Sequence, residues 1–315
     1  MKMSYQYHYM KSMLSSLTRR LALLLLITAA GGASAQTLSD APALLEPSGT
    51  QFFQNQYLAN AAMAGIDTGL HINLAYRRQW KQLNGAPETR FLTVDGALGK
   101  RVGAGLNIFN DVAGLINRTR VAMSYAYHLP LGASGQQLHF GLSLALNFQR
   151  LDLSHVNGDP NDPSLGAFNR RDNYFEGEYG MAYTTGALTV QAALPNVRSL
   201  VTGDNKTVDG GTIFYSAAEY TFGFEGALES LTPKVCFRGV RGYDNIIDAG
   251  VNAVFLNNLL NIMALYHTSK SLTAGFGVNI SHTVMIQALY HTQTGGYNNP
   301  NNGAYEIGAS VHLFK

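Results

Sequence analysis

Leu138-His139-Phe140-Gly141-Leu142-Ser143-Leu144-Ala145-Leu146-Asn147-Phe148 alternates strictly between an apolar residue and a small or polar one. A β-strand sends successive side chains to opposite faces, so this stretch has one greasy face and one small or polar face. Eleven residues is about what a tilted strand needs to cross a bilayer. The same rhythm recurs from residue 69 to the C-terminus. Leu272, Ala274, Phe276, Val278 and Ile280, for example, alternate with Thr273, Gly275, Gly277 and Asn279. Strands of this kind filling a chain behind an export signal predict an all-β fold: one transmembrane antiparallel β-barrel.

The export signal is legible at the start. Arg19 and Arg20 precede the apolar run Leu21 to Ala30, and Ala33-Ser34-Ala35 is a small-x-small cleavage site, so residues 1–35 are expected to be a signal peptide. Only 13% of the chain is charged, against about 25% in soluble proteins, and no run of eighteen apolar residues supports a transmembrane helix. The net charge of +2 gives no indication of a nucleic-acid partner. The single cysteine, Cys236, permits neither an intramolecular disulfide nor a cysteine metal cluster.

The pattern predicts fourteen strands: 69–77, 89–98, 101–109, 117–129, 138–150, 174–184, 187–194, 213–222, 231–241, 245–256, 259–267, 271–280, 283–292 and 304–314. An even count keeps both termini on one side. With the N-terminus in the periplasm, the long polar segments 151–173, 195–212 and 293–303 all face outside, and tight connections such as Gly99-Lys100 and Asn257-Asn258 face inside. Barrels show this sorting of loops; the connections 130–137 and 223–230 are longer than it predicts. Tyr76, Phe148, Tyr266, Tyr290 and Tyr305 lie near the outer strand ends, and Tyr125, Tyr127, Tyr220, Phe222 and Phe255 near the inner ends, as two interfacial girdles. Glu306, Gly308, Val311 and Leu313 resemble the β-signal by which the outer-membrane assembly machinery recognises a last strand.

Residues 36–68 show no strand alternation and are expected to form a periplasmic N-terminal segment before the barrel at 69–315. They carry Phe52, Phe53, Tyr57, Leu58 and Met63, too apolar to be left free. Three fates are open: a plug in the barrel, a partner surface with aromatic anchors, or a local cap on the rim. The inward candidates are His71, Arg77, Asp95, Arg101, Arg118, Arg120, His139, Glu178, Glu219, Lys234, Arg238, Asp248 and Glu306. Arg118 and Arg120 share one strand face; they could line an anion-selective constriction or, given the mixed signs, form lumen salt bridges. Enzymatic chemistry finds little support. His139 and Ser143 lie about 13 Å apart at strand rise, too far for a nucleophile–base hydrogen bond. Asp159, Asn161 and Asp162 offer oxygens to calcium, but Pro160 and Pro163 mark an ordinary turn. No cofactor is expected.

Two stretches carry a family resemblance. Gln51-Phe52-Phe53-Gln54-Asn55-Gln56-Tyr57-Leu58-Ala59-Asn60-Ala61-Ala62-Met63-Ala64-Gly65 resembles the N-terminal signature of the PorP/SprF family, roughly Q-Y-M-F-N-P-x-x-x-N-P-A-Y-A-G. Gln51, Asn55, Asn60, Ala62, Ala64 and Gly65 match; Gln56 and Ala61 stand where the family has prolines, and Met63 where it has tyrosine. Tyr76-Arg77-Arg78-Gln79-Trp80 followed by Gly85-Ala86-Pro87 is similar to the family's Y-R-x-Q-W and G-x-P. The resemblance implies an outer-membrane component of the type IX secretion system of Bacteroidetes-type bacteria, some members serving gliding motility. It implies contact with outer-membrane lipids, with a periplasmic ring lipoprotein and its partner subunits, and with peptidoglycan-linked proteins, in support of exporting or anchoring surface proteins such as adhesins. Candidate partner-binding residues are then Gln51, Phe52, Phe53, Asn55, Tyr57, Asn60 and Gly65. The alternative is a passive or substrate-specific outer-membrane channel.

Overall fold

The computed structural model describes residues 52–79, 85–132, 135–152, 173–198, 212–240, 244–281, 283–293 and 303–314. Residues 1–35, Gln51, Trp80 and the acidic cluster 159–162 lie outside them.

Among the described residues, fourteen antiparallel strands cross in sequence order. They are β1 Leu70–Gln79, β2 Glu88–Gly99, β3 Val102–Ala113, β4 Ile116–Pro130, β5 Gln136–Leu151, β6 Tyr174–Thr185 and β7 Leu188–Leu194, then β8 Thr212–Tyr220, β9 Leu228–Val240, β10 Ile246–Phe255, β11 Leu260–His267, β12 Ser271–Asn279, β13 Val284–Gln293 and β14 Ala304–Leu313. After Thr221, β8 resumes as Phe222–Gly223, which pairs with the start of β9. Each strand pairs with its sequence neighbours, and β1 pairs with β14 from Leu70↔Leu313 to Gln79↔Ala304. The sheet therefore closes without a free edge, which is what a bilayer with no water to satisfy backbone groups demands.

The alternation in β5 has its predicted register. Leu142 and Leu144 are 60% and 61% exposed, while His139, Gly141, Ser143 and Ala145 are buried. The same split runs round the wall: Met123, Phe175, Val235, Ile262, Phe276 and Ile307 face outward and exposed. Among the described residues, more polar and charged side chains than apolar ones are buried. A soluble domain inverts that ratio; here the outside is dissolved in lipid and the inside is a polar lumen.

The two over-long inner connections shrink. β4 runs on to Pro130, and Leu131 N donates to Gln136 O at 2.8 Å, which narrows 130–137 to 131–135. Likewise β9 begins at Leu228 and Phe224 N donates to Glu229 O at 2.7 Å, leaving a turn over 224–227. Arg101 is corrected: β3 starts one residue after it, so Arg101 sits exposed in the β2–β3 turn rather than facing the lumen.

Candidate functional site

The lumen is occupied by the chain's own residues 52–66. Two single-turn 3-10 helices, Gln56–Leu58 and Ala61–Met63, fold this segment into a compact strap. Its side chains are distributed by polarity. Phe52, 3% exposed, packs among Ala193, Tyr215, Ala217, Cys236, Met263, Leu265 and Leu289. Tyr57, Ala62, Met63 and Ala64 form a second apolar island with Ala126 and Ala182 of the wall. Cys236 is thus a small wall residue under Phe52.

The polar groups of the strap find wall partners one by one. Asn55 Nδ2 donates to Thr93 Oγ1 at 2.8 Å. Gln56 Nε2 donates to Glu219 Oε1 at 2.8 Å, and Gln191 donates back to the Gln56 carbonyl. The Tyr57 hydroxyl lies 2.8 Å from Ser124 Oγ, and burial pushes the Tyr57 phenol well above its ordinary range. Asn60 caps its helix by accepting from Ala62 N at 3.0 Å, and its amide donates to Met181 O at 3.1 Å and Gln191 Oε1 at 3.3 Å. Gly65 N donates to Asp95 Oδ2 at 2.9 Å. These bonds tie the strap to the wall along its length, although Asn55 Oδ1 and Gln54 Oε1 have no partner among the described residues.

Glycines in the wall make room for it. A Cβ at Gly141 would overlap the Ala61 carbonyl carbon and Ala62 N, and one at Gly103 would overlap Ala64 O. These are backbone-to-backbone approaches, where only the absence of a side chain allows contact. Gly65 ends the strap with φ +62°, against the Gly96 carbonyl. Gly at this last signature position therefore has two physical reasons.

The structure thus buries Phe52, Asn55, Tyr57, Asn60 and Gly65 inside the barrel and half-buries Phe53. A partner outside the barrel cannot reach the buried ones unless the strap is withdrawn. Lys234, fully buried, lies 3.0 Å from Glu219 Oε2 as an ion contact without hydrogen-bond angles, with its Nζ 5.4 Å from the Phe52 ring centre.

Beyond the strap, toward the end with the long connections, the lumen carries charge. Arg120 is ion-paired with Glu178. Arg118 faces Asp111 across β3–β4. A continuous chain crosses six strands from β9 to β14. Arg238 Nε donates to Asp248 Oδ2 at 2.7 Å; His267 Nδ1 lies 2.6 Å from Asp248 Oδ1. His267 Nε2 lies 2.9 Å from Thr273 Oγ1, which lies 2.7 Å from His291 Nδ1, and His291 Nε2 reaches Glu306 Oε2 at 3.2 Å. Sequence reasoning named Arg238, Asp248 and Glu306 as inward but missed His267, Thr273 and His291. Their inward parity within β11, β12 and β13 was the available signal. His139 and Ser143, both buried, belong to separate contacts: His139 meets His128 at 2.8 Å and Ser143 meets Ser124 at 2.6 Å.

Comparison with known proteins adds a family. Residues 43–311 match the family described as type IX secretion system membrane protein PorP/SprF. No curated protein sequence matches the chain. Among solved structures, the Acinetobacter baumannii outer membrane protein Omp33 is similar at TM-score 0.48 and 9% identity, covering 79% of this chain and 100% of its own. The Ralstonia pickettii toluene transporter TbuX is similar at TM-score 0.49 and 13% identity, covering 82% and 94%.

Proposed function

The chain belongs to the PorP/SprF family of type IX secretion system membrane proteins, an outer-membrane barrel among other subunits of a secretion complex, and from that premise we propose that it is a filled, non-enzymatic anchor of that complex. In this reading it docks periplasmic ring or peptidoglycan-linked subunits and supports the export or anchoring of surface proteins. The observation that carries it is the occupied lumen: a passive channel needs the space that residues 52–66 take. The buried part of the signature segment then shapes the barrel from within, and docking falls to the inner rim.

One inner turn stands out. Leu256, Asn257 and Asn258, between β10 and β11, all hold left-handed backbone angles, φ 59°, 56° and 61°. Asparagines adopt that conformation readily, but for Leu256 it costs about 1–2 kcal/mol, and strain of this kind marks a candidate site. Both carboxylate oxygens of Glu229 accept from Asn258 N, at 3.0 and 3.1 Å. The turn is thereby braced, and it presents Leu256 and Leu259, each about half exposed.

Replacing Leu256–Leu259 by a two-residue Asn-Gly turn tests the reading. The barrel should still form, read as heat-modifiable gel mobility, while pull-down of ring subunits should fall several-fold. Retained pull-down would move docking away from this turn, and failure of the unaltered protein to pull down any ring subunit would remove the docking role altogether.

A further inference from the structure

The lipid-facing wall is not smooth at the β1–β14 seam. Cross-strand register stacks the outward side chains there in layers. One layer reads Ile286, Ala309, Leu74, Leu92 and Ile108, across β13, β14, β1, β2 and β3. Ala309 is its small member, and the larger side chains beside it leave an open apolar groove of about 520 Å³. That is the size of an ordinary ligand pocket, about 300–1,000 Å³. A groove that opens into hydrocarbon fits an acyl chain.

The groove is capped by charge. One layer toward the long connections, Arg90 lines it beside Tyr76, with the guanidinium carbon 5.8 Å from the Tyr76 ring centre. One layer further, Arg78 stands opposite Glu88, level with Tyr290 and Tyr305, whose ring centres are 5.1 Å apart. Paired tyrosines at that height mark the membrane–water interface, where lipid headgroups lie. Arg90 Nη2 donates to Glu88 Oε2 at 2.7 Å, whereas Arg78 Nε stays 3.7 Å from Glu88 Oε1, too long for a hydrogen bond. Both arginine side chains are at least half exposed. Among the described residues, one carboxylate thus faces two guanidinium groups, and most of their N–H donors are left for a second anion.

We propose that this groove binds one molecule of the phosphorylated glycolipid of the outer leaflet, with an acyl chain over Ala309 and a phosphate held by Arg78 and Arg90. The guanidinium fork matches a phosphate in shape as well as charge. Because the apolar groove and the cationic clamp are contiguous, a lipid carrying both features gains from both, and free phosphate gains only from the clamp. The choice of leaflet rests on the orientation read from the loop lengths; the groove and its clamp do not.

The test uses the full-length protein, stripped of lipid in detergent and titrated with diphosphoryl lipid A, read by native mass spectrometry. Saturation at one tightly held copy is expected, and inorganic phosphate at equal concentration should not displace it. Removing the phosphates from the lipid should weaken binding at least tenfold, and so should the pair Arg78→Gln and Arg90→Gln. Ala309→Phe, which fills the groove from its lining, should do the same in a barrel checked by heat-modifiable mobility. The phosphate-free lipid tests the unaltered protein, so a folding defect in a variant leaves the proposal open to refutation. Equal affinity for the phosphate-free lipid, or folded variants that bind as well as the unaltered protein, would overturn it. Phosphatidylglycerol bound as tightly as lipid A would overturn the choice of lipid. A photo-crosslinking residue in place of Ala309 should capture lipid in intact cells; capture of a second copy or of another membrane protein would overturn the lipid assignment. No secretion subunit enters the titration, so failure here is distinct from failure of the ring-subunit pull-down.

Discussion

Gly141 shows how much a single position can decide. In the sequence it is one small residue in an alternating row, and a glycine within a strand weakens it unless something approaches closely. What approaches is the backbone of Ala61 and Ala62. Gly141→Val is therefore expected to expel the strap or leave it misplaced, while the outward row of β5 is untouched. Heat-modifiable mobility should persist, and ion conductance in planar bilayers should appear where the unaltered protein shows little. At the other end of the lumen, Thr273 offers one hydroxyl to two imidazoles, His267 and His291. Thr273→Val keeps the shape and removes that bridge between two buried imidazoles, at a cost of about 1–3 kcal/mol. A lowered urea midpoint of unfolding in lipid checks it. Neither role was legible in the sequence. That Gly141 and Thr273 point inward follows from parity alone, but what they meet depends on cross-strand register and on where a non-periodic segment lies.

Single strands were the most legible unit. All fourteen were readable because lipid outside and a polar lumen inside impose a two-residue period on every crossing. Their ends were less so. Strand β5 runs from Gln136 to Leu151, beyond 138–150, because cross-strand hydrogen bonds continue after the hydrophobic pattern stops. Arg101 was misplaced for the opposite reason: β3 begins after the turn that contains it. Register, once given by the pattern, carries a prediction. Leu144→Arg puts a charge into the lipid near mid-strand and should cost about 2–4 kcal/mol, visible as a lower folded fraction on reconstitution. Ser143 faces inward, next to Ser124 and hence Tyr57, so an arginine there meets the strap rather than open lumen. Its damage should appear in conductance before it appears in folding.

At the scale of the whole molecule, the fold class followed from composition and periodicity, and the family from the segment 51–65 and the residues after Tyr76. The location of that segment did not follow. A run without period gives no face, and only the complementary surfaces (Thr93, Gln191 and the wall glycines on one side, the asparagines of the strap on the other) fix where it lies. Charge placement inside the barrel behaves the same way: mixed signs foretold pairing such as Arg120 with Glu178, but not the six-strand chain ending at Glu306.

The strap is joined to β1 by only Asp67, Thr68 and Gly69, and β1 is one half of the seam with β14. That short tether has a consequence in time. At Gly103 and Gly141 the wall closes on the backbone of Ala61, Ala62 and Ala64 with no room for a Cβ, so the strap must be in position while the wall is still open, as a core sits in a mould before casting. Assembly and filling are then one event, and the finished barrel is born already stoppered. A variant lacking residues 52–66, refolded with a synthetic peptide of those residues present, should regain a low conductance. The same peptide added after refolding should not restore it, and equal restoration in both orders would show that the stopper can enter late.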